Sequence, residues 1–369
     1  MMCTDVLILA GGVGERLWPF STESRPKQFL RVAGNKSFLQ SALERAWSLN
    51  VPGNIYIITR STWSDLVLED IVDLAERNNL PDLPGKTVVM GEPFGKNTAP
   101  AAAWLSRMLE TQSPGGETSL LLMASDHVIG NTEIFIRDVE AASWFTARRN
   151  LVSFAIEPRY PSTGYGYITA GRSLEGPSGN GATVFEAAAF REKPDEQTAR
   201  RYIEEGNAYW NSGLYAFRCD FLLEELEKHA PGIASAFSRP ITPEYRTVRG
   251  VRVMEPHGGV LAAYEATPSV SIDYAVSEKC ERSVSVLARF DWDDVGSWDS
   301  LINYLEPEAG NASLVNAPGC YVKSDIPVAL CGTDDLVVII RDGKAFIARK
   351  GQTELVKEAL AGLRDKDAL

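Results

Sequence analysis

The chain is short of histidine, of paired cysteine and of positive charge, and each shortage excludes a class of function. Its three histidines (His127, His229 and His257) are too dispersed to form a histidine metal centre. Five cysteines, Cys3, Cys219, Cys280, Cys320 and Cys331, are odd in number and contain no CxxC pair. This argues against a disulfide framework or a zinc site and suits a reducing, cytoplasmic setting. Net charge is −12 over 369 residues, so broad binding to nucleic acid or an anionic membrane is not expected. No apolar run approaches the roughly 18 residues of a membrane-spanning helix, and no basic segment followed by a long apolar stretch marks a signal peptide.

What is present is an ordinary globular composition, 44% hydrophobic, with strands and helices in alternation. "DVLILA", "NIYIITR", "KTVVMGEP" and "SLLLMASDHVI" read as buried strands. Between them, "SFLQSALERAWSL", "WSDLVLEDIVDLAERNN" and "TAPAAAWLSRML" carry helical periodicity. This alternation predicts an α/β fold, a doubly wound, mostly parallel sheet whose ligands sit beyond the carboxyl ends of the strands. After Leu151 the pattern is more mixed. "LVSFAI", "GYGYITAG" and "VFEAAAFREKP" read as strands, Asp195 as the cap of the helix "DEQTARRYIEEG", and "YWNSGLYAFR" as a strand pair or strand-turn. Short β-like runs at a spacing of about eight or nine residues follow Leu305, and "ELVKEALAGLR" closes the chain as a helix. The expected division is a catalytic domain over 1–305 and a small β-rich, β-helix-like domain over 306–369.

The stretch "LILAGGVGERLWPFSTESRPKQFL" concentrates glycine and basic residues within an acidic chain. It is not a dinucleotide fingerprint, because from Gly12 the third glycine of G-x-G-x-x-G is replaced by Leu17. Nor does the chain hold a Walker loop, since Gly91 to Asn97 is one residue too short, contains Pro93 and places Asn97 after Lys96. What remains is G-G-x-G-x-R followed by Pro-Lys-Gln. Glycines admit backbone N–H groups to a phosphate, Arg16 suits a bidentate contact and Lys27 is a point charge. A tight turn with solvated basic side chains is the plainer alternative.

Asp126 ends an apolar strand, where a carboxylate serves as a helix cap or as an oxygen ligand for Mg²⁺. A second acidic group, Asp291, Asp293, Asp294 and Asp299, lies among aromatics in "FDWDDVGSWDSL". Acids are costly to desolvate without a cation; solvent exposure is the alternative, and the coincidence with Asp126 favours a metal. Three further polar sets at strand ends have the chemistry of a sugar phosphate pocket: Gly164 with Gly166, Glu192 with Lys193, and Asn211 with Ser212.

In order along the chain, "LAGGVGERLWPFSTESRPKQFL", "GKNTAPA", "ASDHVI", "TGYGYI", "FREKP", "WNSGLYAF" and "WDDVGSW" resemble the nucleotidyltransferases that activate sugar 1-phosphates. Within that family the resemblance is to the bacterial mannose-1-phosphate guanylyltransferase branch, over roughly residues 5–305. It implies a Rossmann-like nucleotidyltransferase enzyme that takes GTP and mannose 1-phosphate, uses Mg²⁺ and forms a homodimer. By the same resemblance, Gly11, Gly12, Gly14, Arg16 and Lys27 match the triphosphate loop, with Arg16 and Lys27 catalytic. Asn97 and Thr98 match a nucleotide-side segment, Asp126 and Asp294 the metal acids, and Gly164, Glu192, Lys193 and Asn211 the sugar-phosphate pocket. Thr22 departs from the arginine many members carry there. The chain shows no cupin-like isomerase domain, so isomerase activity is not expected. Residue chemistry alone does not separate guanine from other bases, or mannose from other sugars. A non-catalytic nucleotide-sugar sensor stays possible at this level, because a fold alone does not give an activity.

Overall fold

The computed structural model describes residues 2–305 and 311–365. The chain forms two compact units, one of residues 1–11, 42–125 and 129–292, the other of residues 12–41, 126–128 and 293–369.

The first unit is built on an 11-stranded sheet. Its strands are β1 (Asp5–Ala10), β2 (Ile55–Arg60), β3 (Thr87–Glu92) and β4 (Ser119–Ala124), then, after the two-residue β5 (Val128–Ile129), β6 (Leu151–Ile156), β7 (Tyr167–Leu174), β8 (Val184–Arg191), β9 (Ala208–Arg218), β10 (Arg246–Val248), β11 (Val251–Met254) and β12 (Ser283–Leu287). The order is β10-β11-β3-β2-β1-β4-β9-β6-β12-β8-β7. β11, β3, β2, β1 and β4 run parallel, as do β6 and β12. These are the continuous apolar runs seen in the sequence, buried on both faces as parallel strands are. β9 enters antiparallel between β4 and β6, so the complete sheet is mixed.

β9 is one long strand where the sequence suggests a pair or a strand-turn. Gly213 sits inside it at φ 72°, and the pairing with β6 shifts register between Ser153 and Ala155. An irregularity of this kind absorbs a residue without reversing the chain. One apolar cluster joins Leu7, Ile58, Met90 and Leu122 of the sheet to Trp104, Leu226 and Tyr264 on helices Thr98–Gln112, Cys219–His229 and Gly258–Ala266. Helix Ser64–Arg77 packs against β2 and β3. Asp195 caps its helix as expected, accepting from the Thr198 N–H at 2.8 Å.

In the second unit, beyond the short β13 (Trp292–Asp293), lie β14 (Ala312–Val315), β15 (Tyr321–Ser324), β16 (Val328–Cys331), β17 (Leu336–Arg341) and β18 (Lys344–Arg349). β14 pairs in parallel with β16 and β15 with β17, in registers Ala312↔Val328 and Tyr321↔Val337. The same offset in both pairs is the mark of a β-helix-like coil, with β18 added antiparallel to β17. The helix Val356–Arg364 follows. Val337, Ile339, Phe346, Val356 and Leu360 share one apolar cluster with Leu17, Phe20, Leu30 and Phe38 and with Val295, Trp298 and Leu301. The β-rich tail therefore shares its core with the glycine-loop segment, and the compact units divide the chain differently from a single boundary at 305/306. That boundary itself borders residues 306–310, which are outside the described residues. Among the described residues, no helix is long and apolar enough to cross a membrane.

Candidate active site

The chain leaves β1 through Gly11 and enters the second unit at Gly12. The three loop glycines are not equivalent. A β-carbon at Gly12 would meet nothing within 4 Å. Gly14 adopts φ 77°, and a β-carbon there would lie 2.4 Å from Cβ of Lys27. Its carbonyl accepts the Leu17 N–H at 2.9 Å and the Ser21 hydroxyl, which closes a short turn over Glu15–Leu17. Lys27 is tied to the same loop by its own N–H, which donates to the Val13 carbonyl at 3.1 Å.

The Lys27 side chain is only 6% exposed. Its ammonium donates to Oδ2 of Asp126 at 2.8 Å and to the Asp294 carbonyl at 2.7 Å, and lies 5.4 Å from the centre of the Phe38 ring. Burial, the largest single influence, raises the Asp126 carboxyl, but the charges of Lys27 and His127 together with hydrogen bonds from Lys27 and the backbone hold the group below the usual carboxylate range. Arg16 belongs to the same cluster. Its Nη1 and Oδ2 of Asp294 stand 3.3 and 2.8 Å from where a Gly296 β-carbon would be, so that glycine leaves room for both. Among the described residues Arg16 makes no ion pair, which leaves its guanidinium available to an anion.

Asp294 is aimed by an unusual backbone. Val295, next to it, has φ 47°, a left-handed conformation that a β-branched residue adopts only under constraint. The constraint is visible. The Val295 side chain is fully buried in the apolar cluster, and its N–H donates to Oδ1 of Asp293 at 2.7 Å. Asp293 is fixed in turn by the hydroxyls of Ser300 at 2.6 Å and Tyr304 at 3.0 Å. Asp299 accepts the Thr353 hydroxyl at 2.7 Å and the Gly351 N–H at 2.9 Å. The acidic run thus separates into Asp293 and Asp299, which hold the fold, and Asp294, which joins Lys27.

No group of three or more His, Cys, Asp or Glu side chains suited to a metal occurs among the described residues. Asp126 and Asp294 still fit Mg²⁺, which takes hard oxygens and is held by one or two carboxylates plus substrate phosphates.

In the first unit, Gly11 abuts Glu92 at the end of β3, and a β-carbon on Gly11 would stand 2.8 Å from Oε1 of Glu92. Glu92 is 5% exposed, and burial pushes its carboxyl up to about 7 against the opposing influence of Tyr264 and Arg60. A raised carboxyl contributes stability at pH below its unfolded value and loses it as pH rises through the folded one. The melting temperature should therefore fall between about pH 4.5 and 7. Glu92→Gln should flatten that slope, by about 1–3 kcal/mol across the window; an equally steep slope in the variant would remove Glu92 as its source. Asn97 and Thr98 have local tasks: Asn97 caps the helix Thr98–Gln112, accepting the Thr98 N–H at 2.9 Å, while the Thr98 hydroxyl accepts the Ile272 N–H at 2.8 Å.

The residues expected to bind the sugar phosphate also lie in the first unit. Lys193 donates to Oε1 of Glu192 at 2.8 Å, and the Glu192 N–H donates to Oε1 of Glu278 at 3.1 Å. Burial raises the Glu192 carboxyl, and the charges of Asp273 and Glu278 add to the rise. Both amide hydrogens of Asn211 are spent internally, on the Tyr215 hydroxyl and on Oδ1 of Asp273, each at 2.9 Å, and the Tyr215 hydroxyl donates to the same oxygen at 2.6 Å. Gly164 is exposed, with Ser162 alone within 4 Å of its β-position. The close approach is at Gly166, whose β-carbon would stand 2.5 Å from Oε2 of Glu192. Tyr165 packs edge-on against Trp210 at 4.9 Å and Trp292 at 5.4 Å.

The family model described as "Nucleotidyl transferase" matches residues 5–308. The chain belongs to the nucleotidyl transferase family. The Xanthan biosynthesis protein XanB of Xanthomonas campestris pv. campestris (strain B100) is 35% identical over 369 residues, covering 98% of this chain and 74% of that protein. A mannose-1-phosphate guanylyltransferase of Klebsiella pneumoniae is 33% identical over 365 residues, covering 97% of this chain and 73% of its own. Among solved structures, a Thermus thermophilus protein described as a mannose-1-phosphate geranyltransferase superposes with a TM-score of 0.75 at 30% identity, covering 99% of this chain and all of that one.

Several residues of this nucleotidyl transferase stand out only in the structure. Glu92 reads as the end of a strand, and its contact with Gly11 comes from the pairing of β1, β2 and β3. Asp273 and Glu278 come from "SIDYAVSEK", which carries no motif of its own. The segment forms a π-helical turn, Asp273–Ser277, a geometry often found at functional sites. Gly296 lies within "WDDVGSW", but nothing in that string displays its tight surroundings.

Proposed function

We propose that this nucleotidyl transferase transfers GMP from GTP to α-D-mannose 1-phosphate, giving GDP-mannose and pyrophosphate. The observation that carries this reading is the Lys27 ammonium joined to Asp126 and to the Asp294 backbone, with Arg16 beside Asp294 across Gly296. The names of the Klebsiella and Thermus relatives support mannose 1-phosphate as the acceptor.

A phosphate monoester is largely dianionic at pH 7, because its second pKa is near 6. It attacks without a general base. One of its oxygens bonds to the α-phosphorus of GTP, the bond from that phosphorus to the β-bridging oxygen breaks, and the electron pair leaves on pyrophosphate. Catalysis then consists of positioning and charge. The backbone N–H groups of Gly11, Gly12 and Gly14 cradle the triphosphate, and Arg16 and Lys27 take the charge of the leaving group. Asn97 and Thr98 border the nucleotide. Lys193 holds the sugar phosphate, Glu192 and the amide oxygen of Asn211 the mannose hydroxyls, and Gly164 gives its backbone to the same pocket. Asp126 and Asp294 would hold Mg²⁺, which would supply positive charge to the phosphates. We further propose a cytoplasmic homodimer.

Pyrophosphate release across GTP, ATP, UTP and dTTP, each with mannose 1-phosphate and glucose 1-phosphate, tests the reading. GTP with mannose 1-phosphate should give the highest kcat/KM by at least about tenfold, the scale set by one or two well-placed polar contacts. A higher value for another pair replaces the substrate assignment, and no release from any pair ends the enzymatic one.

A further inference from the structure

Of the two acids proposed to hold a divalent cation, Asp126 is already paired with a cation of the chain itself, and that cation also reaches the Asp294 backbone. Lys27 points its ammonium at Oδ2 of Asp126 and at the Asp294 carbonyl, 2.8 and 2.7 Å away. It does so from a buried position that water screens little. Mg²⁺ bound to that Asp126 oxygen sits about 2.0–2.1 Å from it. A doubly charged ion would then stand within about 5 Å of the ammonium, where the repulsion of like charges is strong in a partly desolvated site. The Lys27 backbone cannot retreat. Its N–H is bonded to the Val13 carbonyl, and its Cβ occupies the space that the missing Gly14 side chain leaves. Only the flexible four-carbon stem is free to turn.

We propose that Lys27 is a placeholder for the metal: in the nucleotide-free protein its ammonium neutralises Asp126, divalent cation and Lys27 compete for that carboxylate, and entry of the cation turns Lys27 toward the phosphates. The inference rests on the Mg²⁺ assignment to Asp126 and Asp294. It explains how one lysine serves two stages. Before substrate binds, Lys27 neutralises Asp126 and ties it to the Asp294 backbone. Once displaced, it is a buried positive charge in want of an anion, and a triphosphate supplies one. Metal and nucleotide then favour each other's binding, and by linkage the coupling is mutual.

The test is binding of Mn²⁺ to the full chain without nucleotide, followed by the loss of the free-ion EPR signal. Lys27→Met should bind Mn²⁺ about tenfold more tightly than the wild type, Lys27→Gln should fall between them, and adding Asp126→Asn to Lys27→Met should abolish the gain, in the form of a double-mutant cycle. Each variant is first checked for a wild-type circular dichroism spectrum, and Lys27→Gln, which keeps a polar head for Asp126, serves if Lys27→Met does not fold. Equal or weaker Mn²⁺ binding in the lysine variants overturns the competition while leaving the metal site in place. Absence of bound Mn²⁺ in all variants, with GTP present as well as absent, removes the metal assignment and the placeholder with it.

Discussion

Lys27→Ala is expected to lower kcat for pyrophosphate release by about 10²–10³ while the KM for GTP changes only a few-fold, the pattern of a charge that matters most in the transition state. The argument begins with the environment. Lys27 is nearly inaccessible and, in the nucleotide-free protein, bonded to Asp126, so its charge is held within the site before substrate arrives. Negative charge builds on the departing pyrophosphate only as the bond to the α-phosphorus breaks, and a cation held in a low-dielectric site responds most strongly at that point. The substitution also leaves Asp126 without its ion partner. That carboxylate keeps 35% of its side-chain exposure, so the stability loss should be modest, about 1 kcal/mol. Steady-state kinetics with a coupled pyrophosphate assay separate the two effects, and a pure rise in KM with kcat intact would contradict the role.

Much of this site was legible in the sequence because its chemistry sits on chain-local features. The strands β1 to β4 announce themselves as continuous apolar runs, and the glycine loop and Asp126 follow directly on two of them. Asp126 and Asp294 pair on chemistry before any geometry is available, and the structure joins both to Lys27. Features that depend on distant packing stayed hidden. The left-handed Val295 is held by a core assembled from three separate stretches of chain, so nothing in "DDVGSW" displays it. Asn211 reads as a pocket amide, yet its hydrogens are committed to Tyr215 and Asp273, and the latter lies in a segment whose turn has no sequence signature. Equally, the tail reads as a separate β-rich unit because its strands are short and regular, while its core is shared with residues near the N-terminus.

The glycines of the loop offer the sharpest contrast. Sequence treats Gly12 and Gly14 alike, and their surroundings separate them. Gly14→Ala should reduce kcat by about 10² or more and lower the melting temperature by several degrees; Gly12→Ala should stay within a few-fold of wild type in both. At Gly14 an alanine must hold φ near 77°, which costs about 1–2 kcal/mol for an L-residue, the equivalent of roughly 4–8 °C per kcal/mol in a small domain and about half that in a chain of this size. The new methyl would also lie 2.4 Å from Cβ of Lys27, nearer than any two such atoms approach. That contact is with the root of a buried side chain rather than the end of a flexible one, so relief requires the loop and Lys27 to part. Parting them draws the ammonium away from Asp126 and Asp294, which is why the kinetic loss should exceed what the change in stability alone predicts. At Gly12 the β-position is open, and φ is not in the left-handed range. Its backbone N–H stays available to a phosphate after substitution. Parallel measurements of melting temperature and kcat on the two variants decide the matter: comparable losses in both would mean that the loop needs glycine for its freedom of movement, and not to admit Lys27 to the acids.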